Sequence, residues 1–250
     1  MQRPRFASAD VASRKASARI ATEALLLRRV EYGEADLVLT LLTQKLGKVS
    51  ALARGARKSM KRFGGSLEPM HTLALELDER PGAELFTLLE AKLKVPRPKI
   101  LGSLAAMEAA GKALSWARRA APPRTPEEAP YAVLCTLLDR LAEAPSADTS
   151  GVALAEAGLC LLSAFGWGID FERCVRCGRQ ALPAQSASVD AARGGLICRS
   201  CGGARLRISA LAREHMGRAA NGEIGVLAND EAKSALTIVE AALGAHAGIE

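Results

Sequence analysis

The spacing of hydrophobic residues changes near residue 96, and that change divides the chain. From residue 24 to 95 the apolar residues come in short runs separated by turn-forming residues. ALLLRRV (24–30) is followed, after the break Tyr32-Gly33-Glu34, by DLVLTLLT (36–43). KVSALARG (48–55) comes next, across Gln44-Lys45-Leu46-Gly47, a hairpin-like connection with a glycine late in the loop. LALELDE (73–79) alternates apolar and polar positions with period two, as a half-buried strand does. LFTLLEAKLKV (85–95) is the fifth run, after the turn Arg80-Pro81-Gly82-Ala83. Five such runs without a helical period between them predict a small, closed or nearly closed antiparallel barrel.

Pro96 and Pro98 end this region as a stiff connector. Beyond them the period is helical. Leu104, Met107, Gly111 and Leu114 share one face, and Leu134, Leu138 and Leu141 repeat the spacing in 131–144. The stretch 151–167 is apolar nearly all round and reads as a buried core helix despite Glu156; 122–130 reads as a loop. Two further helices fit 209–220 and 229–246, with Asn229 as N-cap and Asp230 and Glu231 in the first turn. The expected architecture is therefore α+β and multidomain: a flexible tail over 1–21, a five-stranded β-barrel over 22–97, and an all-α domain over 98–250.

Charge sharpens the division. The chain of 250 residues has a formal net charge of +7, yet residues 1–100 hold 19 Lys and Arg against 11 Asp and Glu. The whole basic excess thus lies on the barrel side, which points to a polyanionic partner; a basic surface kept for solubility is the plainer reading. Arg54, Arg57, Lys58, Lys61 and Arg62 place five cations in nine residues without an acid, ahead of a Gly-Gly pair, as an exposed, mobile connection would. Lys45 and Lys48 on the preceding hairpin, with Lys92, Lys94, Arg97 and Lys99 on the last strand and its exit, are candidates to complete one groove along a phosphate backbone. Aromatic residues make up only 4 %, so stacking is restricted to Tyr32 and Phe63, either of which could equally be core.

The most specific pattern is Cys174-Val-Arg-Cys177 with Cys198-Arg-Ser-Cys201, a C-x2-C-x20-C-x2-C spacing suited to one structural Zn2+. Two residues between cysteines let a tight turn aim both sulfurs at one ion. Gly178 and Gly202 follow the pairs, where amides would approach the thiolates free of side-chain hindrance. Four sulfurs leave no position for water, so the site is expected to be structural. Two disulfides are the competing use of these cysteines; with no secretory signal, a reduced cytoplasmic setting is expected instead. Cys135 and Cys160 lie on apolar helical faces as packing thiols.

Phosphate-loop, dinucleotide, zinc-protease and nucleophile-elbow motifs are all missing, and His71, His215 and His246 are scattered. The chain is expected not to be an enzyme. No run reaches the length that spans a bilayer.

Together these features resemble the RecO family of bacterial recombination mediators. The likeness is carried by Tyr32-Gly33-Glu34-Ala35-Asp36, Gly47-Lys48, Arg54-Gly55-Ala56-Arg57 and Gly65…Leu67-Glu68-Pro69, and by FGWGIDFERCVRCG (165–178) with Gly194-Gly195-Leu196. It implies an oligonucleotide-binding (OB-type) barrel fused to a helical domain that carries the zinc. It also implies binding of single- and double-stranded DNA, annealing of complementary strands and help in loading RecA on strands coated with single-strand-binding protein. Implied partners are RecR and the tail of the single-strand-binding protein, in the cytoplasm at the nucleoid. Two departures stand out. The first twenty residues have no counterpart, and ALTIVEAALGAHAGIE lacks the basic stretch that often closes the family. The alternative is a zinc-containing basic adaptor for RNA or a ribonucleoprotein surface; a metal-dependent nuclease would need acidic ligands that the strands do not offer.

Overall fold

The computed structural model describes residues 18–63 and 66–248. Five strands form the N-terminal unit: β1 (Ala18–Tyr32), β2 (Asp36–Thr43), β3 (Gly47–Ala53), β4 (Thr72–Glu79) and β5 (Phe86–Val95). They hydrogen-bond in the order β1-β2-β3-β5-β4 and close into a barrel. All neighbours are antiparallel except β3 and β5, which close the ring in parallel through Ala51↔Phe86 and Leu52↔Thr87. β1 starts at Ala18, four residues ahead of the expected domain boundary; residues 1–17 of the expected tail lie outside the described residues.

Strand periodicity explains the core. Leu39, Leu41, Val49, Ala51, Leu73, Leu77 and Leu88 point inward and are almost fully buried. Between β3 and β4 the basic segment makes one helical turn, α1 (Met60–Phe63), whose Phe63 is 2 % exposed and plugs the barrel. The segment is therefore anchored at its end, and Phe63 is core.

Leu25, Leu27 and Leu42 face outward from the barrel, yet they are buried in the same apolar cluster as the helices. Each contributes roughly 2 kcal/mol by leaving water. A bulge follows directly: β1 pairs Leu26 with Leu41 and then Arg28 with Thr40, so Leu27 is an extra residue and reverses the facing of everything after it.

The remainder begins with α2 (Pro98–Leu101), α3 (Leu104–Ala120), α4 (Glu128–Glu143) and α5 (Ala147–Ala164). α4 starts three residues before the expected helix, with Pro130 in its first turn, where a missing N–H is tolerated. α5 is central and packs against α3, α4 and both C-terminal helices. Gly158 permits this: a Cβ there would lie 2.9 Å from Val239 and 3.2 Å from Trp116. The Glu156 carboxylate, 1 % exposed, accepts hydrogen bonds from the amides of Gly225, Val226 and Leu227 and pairs with Arg140 at 2.8 Å.

This part of the chain is not all-α. β6 (Asp170–Cys174), β7 (Ala187–Asp190), β8 (Gly195–Ile197) and β9 (Leu206–Ile208) form a small sheet in the order β6-β8-β7-β9. It carries the cysteine pairs and is closed by α6 (Ala210–Ala220) and α7 (Asn229–Ala247). Ala228, not Asn229, is the N-cap of α7; the Glu231 carboxylate returns to the Ala228 amide at 2.9 Å. Among the described residues no helix is long and apolar enough to cross a membrane.

Candidate nucleic-acid interface and metal centre

The outer face of β1, β2 and β3 forms three cross-strand rows. Arg28, Thr40 and Ser50 make the first, Val30, Val38 and Leu52 the second, and Tyr32 with Asp36 the third. Val30 is 42 % exposed and Tyr32 61 %, so an apolar and aromatic strip lies open beside the Arg28 guanidinium. Arg28 escaped the sequence reading because the bulge at Leu27, which turns it outward, leaves no mark in the pattern.

The basic segment is tied to the same end of the barrel. The Gly55 amide donates to Asp36 Oδ1 at 2.7 Å and the Arg57 amide to the Ala35 carbonyl at 3.0 Å, so the root of the segment is fixed beside the Tyr32 turn. Arg62 folds back on the Arg54 carbonyl at 2.5 Å and stacks on Phe63, 5.0 Å from the ring centre. Arg57 pairs with Glu31 at 3.1 Å. Among the described residues, Arg54, Lys58, Lys61 and Arg62 are exposed and have no carboxylate partner.

The other sequence candidates divide. Lys92 and Lys94 are exposed, but they pair with Glu90 (3.0 Å) and Glu23 respectively, on a face of mixed charge. Lys92 also lines a shallow concavity with Lys61. Lys45 donates to the Ala21 carbonyl at 2.8 Å. Lys48 leaves the interface. Its ammonium donates to the Arg118 carbonyl, in the last turn of α3, at 2.8 Å. Burial and the nearby Arg118 charge lower its pKa. It caps a helix C-terminus at the junction of the two domains, a favourable place for a cation. Beside it Gly47, at φ +66°, has Thr125 so close that a Cβ would lie 1.8 Å from the carbonyl oxygen. Arg97 leaves the groove as well. It is 3 % exposed and bonds Asp139, Thr72 and the Met70 carbonyl.

The four cysteines meet. Every Sγ of Cys174, Cys177, Cys198 and Cys201 lies within 4.8 Å of the others. Cys177 and Cys198 are 3.7 Å apart; sulfurs about 2.3 Å from a tetrahedral ion stand roughly 3.8 Å from one another. Each pair sits on a tight turn. The Gly178 amide donates to the Cys174 carbonyl at 2.8 Å and the Gly203 amide to that of Cys198 at 3.1 Å. Gly178 (φ +72°) and Gly202 (φ +101°) have nothing within 4 Å of a built Cβ, so the turns need glycine for its backbone angle and not for space. Arg176 joins the turns through the Cys201 carbonyl at 2.7 Å. The amide of Cys198, with those of Arg176 and Cys177, holds the Cys174 thiol down to about 6. Its neighbours Cys198 and Cys177 push Cys201 up to about 12. Four thiolates this close repel one another, and a bound cation makes all four tenable. The donor set fits a metal ion. Cys135 and Cys160 stand apart, half-buried, with burial raising both thiols.

Barrel and cysteine cluster together define a two-part protein: a small basic β-barrel mounted on a helical body that carries four thiols placed to hold a metal ion. The Recombination protein O N-terminal model matches residues 18–97 and the Recombination protein O C-terminal model residues 102–250. The chain belongs to the RecO family. It is 38 % identical to a DNA repair protein RecO of Anaeromyxobacter sp. strain Fw109-5 over 73 % of this chain and 70 % of that one. It is 34 % identical to that of Geobacter sulfurreducens over 91 % and 92 %, and 33 % identical to that of Myxococcus xanthus over 72 % and 71 %.

Proposed function

We propose that this protein acts in recombinational DNA repair as a non-catalytic mediator that binds single- and double-stranded DNA and anneals complementary strands. The observation that carries the reading is the juxtaposition of Tyr32, 61 % exposed, with a basic segment whose Arg54, Lys58, Lys61 and Arg62 meet no carboxylate among the described residues. The strand order and parallel closure are those of an oligonucleotide-binding barrel, whose second and third strands and first turn form the usual ligand face. Here that face carries Val38, Thr40, Ser50 and Leu52, continued on the first strand by Arg28, Val30 and Tyr32. Cations neutralise phosphates on two strands and lower the repulsion that opposes pairing, while the open strip receives bases without reading them. Neither step needs a nucleotide cofactor.

The four-thiol site takes one Zn2+ with a structural role, because all four positions of a tetrahedron are filled by sulfur. The zinc braces the small sheet, and the barrel supplies the DNA face described above. Family membership supports RecR and the acidic tail of the single-strand-binding protein as partners, with RecA loading as the outcome.

The test is binding of labelled oligo-dT, duplex DNA and a matched RNA across a salt series. Affinity for both DNA forms that falls steeply with salt, and drops in Lys58→Glu/Lys61→Glu, supports the reading. A clear preference for RNA moves the protein to the adaptor class.

A further inference from the structure

The metal module carries a second cationic surface that the barrel does not account for. Residues 170–208 hold seven arginines, no lysine and three acids. Part of that excess answers the metal centre, since four thiolates and a divalent ion leave negative charge to offset. Arg176 serves there through the Cys201 carbonyl, and Arg193 pairs with Asp190 at 2.6 Å. Arg179, Arg199 and Arg207 are different. They surround a concavity of about 610 Å3 on the small sheet; Cys174 and Cys198 form part of its wall, and its lining holds no carboxylate. Arg179 donates to Ser200 Oγ at 3.3 Å and Arg207 to Ser186 Oγ at 2.8 Å, so neutral hydroxyls and not carboxylates orient these two guanidiniums. All three are exposed and in no salt bridge among the described residues. The apolar part of the wall is Leu196, Ile197 and Leu182, the last 59 % exposed.

Guanidinium forks beside serine hydroxyls match phosphate oxygens, which accept from both kinds of donor. An apolar wall next to them suits a sugar or base face. We propose that this concavity is a second strand-binding site, holding the phosphates of a single-stranded nucleic acid while the barrel holds the complementary strand. The inference rests on the reading of the barrel as the first strand-binding face. It gives annealing two binding sites in one molecule, one on each half of the chain. The strands are then brought together without both occupying one groove, and the second encounter becomes effectively intramolecular.

The test uses full-length Arg179→Ala/Arg199→Ala/Arg207→Ala beside the barrel variant Lys58→Glu/Lys61→Glu. Zinc content, far-ultraviolet circular dichroism and oligo-dT affinity are measured over a salt series. The triple variant is expected to keep its zinc and fold. Its plot of log affinity against log salt should flatten by about 2, three phosphate contacts at roughly 0.7 each on a single strand. Annealing should slow on the order of ten-fold while the barrel-bound fraction persists. Parental affinity and slope in the triple variant, with the barrel variant impaired, overturn the inference and leave the barrel reading intact; binding of an acidic peptide alone at this site counts the same way. Failure of the parent to bind DNA overturns the barrel reading itself. Should the triple variant lose zinc, Arg207→Ala, which bonds Ser186 and no cysteine, decides: a slope reduced by about 0.7 supports the site and an unchanged slope ends it.

Discussion

Arg97 Nε lies 2.7 Å from Asp139 Oδ1, joining the exit of the last barrel strand to the middle of α4. The same guanidinium holds the Thr72 hydroxyl at 3.0 Å and the Met70 carbonyl at 3.3 Å, while its backbone amide donates to His71 Nδ1 at 3.0 Å. With Lys48 and the Gly47–Thr125 contact, this network makes the junction a built interface and not a loose tether.

Truncation of Arg97 strands acceptors in a dry junction. Arg97→Ala is expected to cost roughly 2–4 kcal/mol. Asp139→Asn should cost only about 1 kcal/mol, because that carboxylate is 52 % exposed and already screened. Urea unfolding of each variant measures the difference; equal losses would mean that the ion pair, and not the three-way hydrogen bonding, holds the junction.

His71 gives this junction a pH dependence. Its Nδ1 must be unprotonated to accept from the Arg97 amide, and burial followed by the Arg97 charge lowers its pKa from 6.5. The unfolded chain therefore takes up the proton first as pH falls. Stability from this group is full above pH 6.5 and declines below it, towards the lowered folded value. His71→Asn, which retains an acceptor without titrating, should flatten that decline; an unchanged slope in the variant assigns it to other groups.

The cations should separate by their partners. Lys58→Ala and Lys61→Ala, which free no carboxylate, are each expected to weaken oligo-dT binding several-fold and to reduce the salt slope by about 0.7. Lys94→Ala removes a charge already met by Glu23 and should weaken it less than two-fold. Lys48→Met should leave DNA binding unchanged and lower stability, since its ammonium is spent on the Arg118 carbonyl. Anisotropy titrations beside thermal unfolding give all four results.

Much of this was legible in the sequence, and the failures share a cause. Period-two alternation marked β4, and the break at Pro96 marked the change from strands to helices, because both are local. The cysteine pairs were legible for the same reason: two residues between thiols already form the turn. Lys48 and Arg97 looked like free cations because their partners, Arg118 and Asp139, lie 70 and 42 residues away. β6 to β9 span three to five residues each, too short for a period to show. Phe63 and Tyr32 were indistinguishable until α1 turned one into the barrel and the β1–β2 turn left the other outside.

The metal prediction is independent of DNA. One equivalent of zinc per chain is expected by elemental analysis. Cys177→Ser should lose it and unfold the small sheet at lower temperature than the parent, with the barrel transition unmoved. Retention of parental stability after chelation would remove the metal from the account.

Electrostatic annealing is tested by pairing of complementary oligonucleotides coated with single-strand-binding protein, without ATP, over a salt series. The expected result is acceleration that fades as salt rises and is lost in Lys58→Glu/Lys61→Glu. A folded, zinc-loaded protein that leaves the pairing rate unchanged at every salt concentration would contradict it.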